Sequence, residues 1–291
     1  MYCDFFGFNE KPFTITPNPH FMYLSNIHRE AFARLLYGVD SHAGFISLTG
    51  EVGTGKTTIL RTLMEHLDHG KYRNALILNS HLSRVQLLSN ICSEFEIHVK
   101  HKNSAGYLDA LNRFLLDQNT QGKTVVLVID EAQNLKTDVL EQVRLISNLE
   151  TERDKLIQII LAGQPEFNDI LKRHDLRQLN QRIMIRSNLS PMDLLDTAEY
   201  IRHRLKLAGG RNPELFSKDA IKKIFRFSRG FPRLINVVCE QALVMAWTQE
   251  SPVVSPLIAS IVISEAETAS GYDGVWRRIT AWYRRGKKRK L

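Results

Sequence analysis

The sequence predicts an α/β fold with a parallel sheet, followed by a small all-helical domain. Three observations support this prediction. Apolar runs of strand length alternate with helical spacing through the first 190 residues, a pattern typical of parallel strands joined by crossover helices. A glycine-rich loop follows the first of these runs. Beyond Ser190 and Pro191, the spacing of apolar residues is helical throughout.

The strands are predicted from short apolar runs, which indicate that helices cover both faces of the sheet. They lie at 45–49, 75–78, 124–129, within 156–166, and at 182–189, the last being an expected edge strand. The predicted helices lie at 27–39, 57–67, 83–95, 104–118, 137–149, 193–208, 217–229, 232–250 and 257–269. Residues 1–25 are rich in Phe and Pro and predict an irregular aromatic arm.

These elements divide the chain into three predicted parts. Residues 1–190 form an α/β domain that includes the aromatic arm, residues 191–270 form a helical domain, and residues 271–291 form a basic, aromatic tail. The boundary near residue 190 is the main one, because the pattern of elements changes there from mixed to purely helical.

Composition excludes several classes of protein. The 291 residues are 43% hydrophobic and 24% charged, which is ordinary for a globular protein. No apolar run reaches the length of a membrane span, and the first residues lack the pattern of a secretory signal. Three widely separated cysteines predict a reducing compartment without a disulfide or zinc framework. We therefore expect a cytoplasmic protein, with peripheral contact at the inner membrane as an alternative.

The net charge of +8 is concentrated at the end of the sequence. Residues 276–291 contain eight Lys and Arg residues and no acidic residue; removing them from the total of 39 leaves 31 basic residues, equal to the 31 acidic ones. The body is therefore formally neutral. The tail also contains Trp276, Trp282 and Tyr283, and three interpretations stay open for it: an anionic membrane surface, which is favoured, nucleic acid, or a solubilising tail.

The glycine-rich loop matches the pattern G-x-x-x-x-G-K-[ST]. Glycines let successive backbone N–H groups point at an anion, and the following helix adds the positive end of its dipole. The pattern places Lys56 near the β- and γ-phosphates and the Thr57 hydroxyl on Mg²⁺. The predicted nucleotide-binding residues are Gly50, Glu51, Val52, Gly53, Thr54, Gly55, Lys56, Thr57 and Thr58.

A second motif ends the apolar strand that begins at residue 124. Asp130 and Glu131 follow it directly. A carboxylate at the tip of such a strand lies beside the glycine-rich loop, here called the phosphate loop, and can hold Mg²⁺. Asp130 is therefore the predicted metal ligand together with Thr57. Glu131 is the predicted general base that polarises the attacking water. Together these motifs predict hydrolysis of ATP rather than binding alone.

The sequence resembles the AAA+ ATPases of the ExeA/GspA type over residues 1–268. The resemblance is carried by the aromatic opening segment and by the motifs TGEVGTGKTT, VIDEAQNL, LAGQPE, LRQLNQRI and GFPRLINVVCEQAL. It implies an αβα nucleotide-binding domain with a parallel sheet and a small helical lid. It also implies ATP and Mg²⁺ as cofactors and a role in general secretion, pilus or polysaccharide export.

The resemblance assigns further roles by position. Gln164 takes the place of the sensor-1 residue at a strand tip, and Arg233 takes the place of the sensor-2 arginine of the lid. Arg177 and Arg182 are candidate arginine fingers, which act on the ATP of a neighbouring subunit; Arg182 is favoured. Asn79 is a candidate for holding Glu131 inactive until a partner binds.

The resemblance also places adenine near the aromatic arm, with Phe5, Phe8 and Phe13 as open alternatives. Proteins of this type continue into a membrane span and a periplasmic domain, and this sequence stops where that span is expected. Either it is a shorter relative or it has been cut, and periplasmic function is not expected of it.

The function expected from these features is that of an oligomeric ATPase serving an envelope secretion, pilus or polysaccharide export system. The alternative is a DNA-handling ATPase of the transposition target-selection type, which shares a similar core. The neutral body argues against a DNA-binding surface there. A third class, a nucleotide-gated scaffold without hydrolysis, is disfavoured because Asp130 and Glu131 are both present.

Overall fold

The computed structural model describes residues 2–16, 18–78, 81–150 and 155–268. The chain divides into two compact units. One comprises residues 17–190, and the other comprises residues 1–16 together with the chain from Pro191 onward. The division at 190/191 falls where the sequence pattern changes from mixed to helical. Each unit has its own buried residues and is described by itself.

A parallel sheet forms the centre of the unit 17–190. Its strands are β1 Phe45–Gly50, β2 Tyr72–Ile77, β3 Thr124–Ile129, β4 Ile157–Gly163 and β5 Ile183–Leu189. The strand order is β2-β3-β4-β1-β5, and every pairing is parallel. β5 lies at one edge, as predicted. Because carboxyl ends of parallel strands meet at one edge of the sheet, this order brings the ends of β1, β3 and β4 together.

Both faces of this sheet are covered by helices. Along β3, Val125, Leu127 and Ile129 pack into one core layer, while Val126 and Val128 pack into the other. This alternation follows from the two-residue period of a strand. The helices of this unit are α2 Asn26–Asp40, α3 Lys56–His66, α4 Arg84–Glu94, α5 Ser104–Thr120, α6 Thr137–Ile146, α7 Glu166–Leu171 and α8 Arg177–Arg182. The result is an αβα sandwich.

The second unit is helical in the residues that the structure describes. It contains α1 Tyr2–Phe6, α9 Leu194–Leu207, α10 Lys218–Ser228, α11 Pro232–Thr248 and α12 Pro256–Thr268. The buried faces of α10 to α12 supply its core, with Ile224, Val238 and Val262 almost completely covered. Pro232 occupies the first turn of α11, where the missing N–H costs nothing. Across the described parts of the chain, no helix combines the length and apolar character needed to cross a membrane.

Residues 1–16 of the aromatic arm group with the helical unit, which differs from the prediction that the whole arm belongs to the α/β domain. The Tyr2 hydroxyl donates to Glu240 at 2.8 Å, and the Phe13 ring meets Phe216 edge to face. The guanidinium of Arg204 lies 6.0 Å from the centre of the Phe13 ring. The sequence did not indicate these contacts, because they join the arm to residues about two hundred positions later. The arm also forms a short helix at Tyr2–Phe6, where the sequence predicted irregular chain.

Candidate active site

The loop that joins β1 to α3 has a backbone that requires glycine at three positions. A Cβ atom on Gly50 would lie 2.7 Å from the carbonyl oxygen of Leu189 and 2.9 Å from the Thr54 hydroxyl. Gly53 and Gly55 have φ angles of +82° and +99°, in the left-handed region that L side chains rarely adopt. The sequence pattern therefore corresponds to a tightly curled loop at the N-terminus of α3.

Lys56 is the first residue of α3 and is only 5% exposed. Its ammonium group donates to the carbonyl oxygens of Gly50 and Glu51, at 2.7 Å and 3.1 Å. Burial lowers the pKa of Lys56, and the nearby carboxylates of Glu131 and Asp130 counteract that effect. The fold therefore holds a cation under the loop, beside the two acidic residues that follow β3.

Thr57 and Asp130 join the loop to the tip of β3. The Thr57 hydroxyl donates to Asp130 Oδ2 at 2.7 Å. The other oxygen of the same carboxylate accepts from the backbone N–H of Glu131 at 2.8 Å. Asp130 is 2% exposed. A hydroxyl and a carboxylate in contact are oxygen ligands of the kind that Mg²⁺ prefers, and these are the two residues predicted from the sequence.

Glu131 presents its carboxylate from a left-handed backbone position, with φ of 53°. A non-glycine residue in this region is uncommon and is often found at functional sites. Glu131 Oε2 accepts from the side-chain amide of Gln133 at 2.6 Å and from that of Gln164 at 3.3 Å. The predicted general base and the predicted sensor-1 residue are therefore in contact.

Gln133 is a residue of this site that the sequence analysis missed. Besides donating to Glu131, its side chain accepts at the amide oxygen from the backbone N–H of Gln164 at 3.0 Å. A Cβ atom on Gly163, at the end of β4, would lie 2.9 Å from that same oxygen. The absence of a side chain at Gly163 therefore leaves room for the amide. The available signal was the presence of Gln133 within VIDEAQNL, but its partner Gln164 lies 31 positions later in the chain.

Glu51 adds a negative charge to the loop itself. Desolvation by partial burial raises the pKa of its carboxyl group, repulsion from Glu166 raises it further, and Lys56 lowers it. The net result is a pKa above the ordinary value. Ionised Glu51 is therefore held in surroundings that favour its neutral form.

The remaining predicted loop residues differ in exposure. The Thr54 side chain is completely buried, and its hydroxyl donates to the carbonyl oxygen of Glu51 at 2.8 Å. Val52 is 43% exposed, while Thr58 is half-buried in the first turn of α3. Thr54 therefore belongs to the internal framework of the loop, whereas the Val52 side chain faces outward.

The candidate arginine fingers lie at the two ends of α8. Arg182 is half-buried, and its guanidinium donates to the side chains of Ser147 at 3.1 Å and of Asn148. Arg177 is exposed. The guanidinium of Arg182 is thus held by its own subunit, whereas Arg177 presents its side chain to solvent.

The other predicted residues belong to the helical unit or lie outside the described chain. Arg233 is exposed in the first turn of α11, in the helical unit. Phe8 and Phe13 are buried in that unit, while Phe5 is 43% exposed. Asn79 and the basic tail at 276–291 lie outside the described residues, so the roles predicted for them stay predictions.

Comparison with known proteins defines the class. Residues 39–171 match the family of AAA domains. This segment runs from the end of α2 to the end of α7 and contains the phosphate loop, Asp130, Glu131 and Gln164. The chain therefore carries an AAA domain, and with its phosphate loop and parallel sheet it is a P-loop ATPase. The predicted αβα fold with a helical second unit is confirmed.

The chain is similar to the general secretion pathway protein A of Aeromonas hydrophila. The two are 44% identical over 254 residues, which is 86% of this chain and 46% of that protein. The resemblance to the ExeA/GspA type that the motifs indicated is thus confirmed. The chain spans about half the length of this relative, so the activities of the whole relative do not transfer with the similarity.

Solved structures share the fold. The Aeropyrum pernix ORC2 protein with ADPNP and ADP has a TM-score of 0.66 at 17% identity, covering 86% of this chain and 72% of the other. The Aeropyrum pernix ORC1 protein in complex with DNA has the same TM-score and identity, covering 89% and 70%. At this identity the likeness concerns the fold alone.

Proposed function

We propose that this chain is a Mg²⁺-dependent ATPase that supports the assembly or operation of a bacterial envelope secretion, pilus or polysaccharide export system. The chemistry rests on one observation: the 2.7 Å hydrogen bond between Thr57 and Asp130, which brings the phosphate loop and the tip of β3 together. The cellular role rests on the 44% identity to general secretion pathway protein A.

The residues present fit both ATP and Mg²⁺. The loop is curled by the positive φ angles of Gly53 and Gly55 and leads into the N-terminus of α3, which suits close approach of phosphate oxygens to the backbone. Lys56 supplies a cation within the same loop, and Thr57 with Asp130 supplies the oxygen donors for the metal. Bound Mg²⁺ would neutralise developing charge on the β- and γ-phosphate oxygens.

Hydrolysis assigns a separate task to Glu131, Lys56 and Gln164. Glu131 Oε1 or Oε2 takes the proton of the attacking water, while Lys56 stabilises negative charge on the transferred phosphoryl group. Gln164 contacts Glu131 at 3.3 Å and orients the water or the γ-phosphate from the tip of β4. Burial lowers the pKa of Lys56, and the charge of Glu131 opposes that shift. This electrostatic interaction between the two residues supports the arrangement.

The active form is proposed to be a homo-oligomer. Arg182 or the exposed Arg177 would reach the ATP of a neighbouring subunit, where an arginine supplied in trans stabilises transition-state charge. Arg233 would sense the nucleotide from the helical unit. These assignments follow the family motifs LRQLNQRI and GFPRL, and each is a proposal for this chain.

The proposed location is the cytoplasmic side of the inner membrane. The basic and aromatic residues at 276–291 suit an anionic lipid surface, with the rings at the level of the headgroups. The protein partner is proposed to be a component of the export or pilus machinery. The alternative of DNA handling is less favoured, because the body has equal numbers of acidic and basic residues.

The test is steady-state ATP turnover of the purified chain. It is measured alone, with anionic liposomes and with duplex DNA, beside a version that ends at Gly274. Lys56→Ala serves as the inactive control, since it removes the buried cation of the loop. Mg²⁺-dependent turnover that Lys56→Ala abolishes is the expected result, and equal turnover in both would contradict the proposed chemistry.

The two additives separate the cellular roles. Stimulation by liposomes that disappears in the shortened version is expected and supports a membrane-surface ATPase. Stimulation by DNA that persists in the shortened version would overturn the export role in favour of DNA handling. Turnover insensitive to both would contradict the proposed membrane-surface location.

A further inference from the structure

A buried serine–histidine pair lies directly behind the phosphate loop. Ser25 is completely buried and His28 is 3% exposed. The Ser25 hydroxyl and His28 Nδ1 are 2.6 Å apart, and His28 Nε2 is 3.0 Å from the carbonyl oxygen of Thr54. Since a carbonyl oxygen only accepts, Nε2 carries the proton of this second hydrogen bond. In the neutral imidazole Nδ1 is then an acceptor, and the Ser25 hydroxyl donates to it.

This contact determines how one peptide group of the loop is oriented. In a planar trans peptide, the C=O of one residue and the N–H of the next point in opposite directions. His28 holds the Thr54 carbonyl on its own side of the loop. The N–H of Gly55 is therefore turned away from His28. The backbone N–H groups of such a loop are the groups that bind phosphate.

The fit around this peptide is close. A Cβ atom on Gly55 would lie 3.3 Å from His28 Nε2, and Gly55 has a φ of +99°. Ser25 is also the N-cap of α2, with its hydroxyl accepting from the His28 N–H at 3.4 Å. The first turn of α2 is thereby fixed against the loop at a point 26 positions away in the chain.

We propose that His28 is a positioning residue for nucleotide binding. Its Nε2–H holds the Thr54–Gly55 peptide in the orientation that presents the Gly55 N–H to a phosphate oxygen, and Ser25 fixes the tautomer that makes this possible. Without that hydrogen bond the peptide is free to rotate, and binding must restore its orientation at a cost in affinity. This inference rests on the proposed function, since the phosphate is that of ATP.

Two amide substitutions isolate the Nε2 hydrogen bond. His28→Gln places an amide N–H near the position of Nε2, where it can still donate to Thr54. His28→Asn places its amide near the position of Nδ1 and loses that donor. The dissociation constants for ADP and ATP and the values of KM and kcat are measured for both variants. His69→Ala, at an exposed position beyond α3, is the control.

The expected result is a difference between the two variants. His28→Asn should weaken nucleotide binding and raise KM about tenfold, the usual effect of one lost hydrogen bond to a buried group. At saturating ATP, kcat should change less than about threefold, because the loss is in ground-state binding. His28→Gln and His69→Ala should remain within about threefold of the unsubstituted chain in affinity.

Contrary outcomes are distinguishable from one another. If the unsubstituted chain binds no ATP, the proposed function fails. If it binds ATP and His28→Asn, folded by thermal unfolding, binds equally well, the inference is overturned. Should His28→Asn not fold, His28→Gln decides: retained affinity supports the inference, and a folded variant with about tenfold weaker binding contradicts it.

Discussion

The side-chain amide of Gln133 donates a 2.6 Å hydrogen bond to the carboxylate of Glu131. The same amide accepts from the backbone of Gln164, so that it spans the tips of β3 and β4. Glu131 occupies a left-handed backbone position at this point. The orientation of the proposed general base therefore depends on a residue that lies outside the phosphate loop.

Replacing Gln133 by Leu should lower kcat about tenfold and leave ATP affinity within about threefold. Leu keeps a similar volume but cannot donate to Glu131 or accept from Gln164, so the carboxylate loses its fixed position while the loop is untouched. Steady-state kinetics with a direct measurement of ATP binding checks both quantities. Gln121→Leu, at an exposed position, is the control. An unchanged kcat would show that Gln133 does not position the base.

Replacing Glu131 by Gln should slow hydrolysis by about a hundredfold or more while ATP still binds. The amide keeps the size of the side chain but cannot take a proton from water. Single-turnover hydrolysis and equilibrium binding of ATP separate the two effects. Glu94→Gln, at the exposed end of α4, should leave both unchanged. Normal turnover in the Glu131 variant would remove it from the role of general base.

The pairing of Thr57 with Asp130 leads to a prediction about Mg²⁺. Thr57→Val keeps the shape but removes the hydroxyl, and the Mg²⁺ concentration for half-maximal turnover should rise about tenfold. Thr57→Ser keeps the hydroxyl, so its Mg²⁺ concentration for half-maximal turnover should stay within about threefold of that of the unsubstituted chain. A titration of turnover with Mg²⁺ at fixed ATP measures this. Equal Mg²⁺ requirements in the Ser and Val variants would exclude the hydroxyl as a ligand.

Glu51 should make the stability of the α/β unit depend on pH. Its pKa is raised in the fold, so the folded state binds more protons than the unfolded state between the ordinary and the raised pKa. Stability therefore falls as pH rises through that interval. Glu51→Gln removes the ionisable group and should raise the melting temperature at pH 7 by roughly 1 °C, since the site is half-exposed.

This gain should shrink as pH falls through the raised pKa and the ordinary pKa of about 4.3, because below both values Glu51 of the unsubstituted chain is protonated in both states. Melting temperatures of both chains from about pH 4 to 8 test the sign. A difference that grows as pH decreases would contradict the raised pKa. Glu94→Gln, which removes a carboxyl group from the surface, is again the control.

Complementation between two inactive variants tests the arginine finger. Lys56→Ala lacks a working phosphate loop, and Arg182→Ala lacks the proposed finger. If Arg182 acts in trans, mixing them should restore activity, because an intact Arg182 then meets an intact loop across a subunit contact. Turnover of the mixture is compared with that of each variant alone. If mixing Lys56→Ala with Arg177→Ala restores turnover, and mixing it with Arg182→Ala does not, the arginine finger is Arg177.

The sequence by itself determined the elements whose signals are local. The strand at Phe45–Gly50, the glycine loop and α3 follow one another in the chain, and their positions agree with the prediction to within a residue or so. The tip of β3 was equally clear, because a continuous apolar run marks the buried strand and Asp130 and Glu131 mark its end. Local patterns of apolar spacing also placed the long helices of the second unit.

Only the tertiary structure decided which distant side chains serve these motifs. Gln133 meets Gln164 across 31 positions, and His28 meets Thr54 across 26. The sequence places the aromatic arm beside the α/β domain that follows it in the chain, whereas in the structure Phe13 of the arm packs against Phe216 of the helical unit. Periodicity reports which side of an element is buried but not what buries it. The partners are fixed by strand order and by packing, which depend on the whole chain.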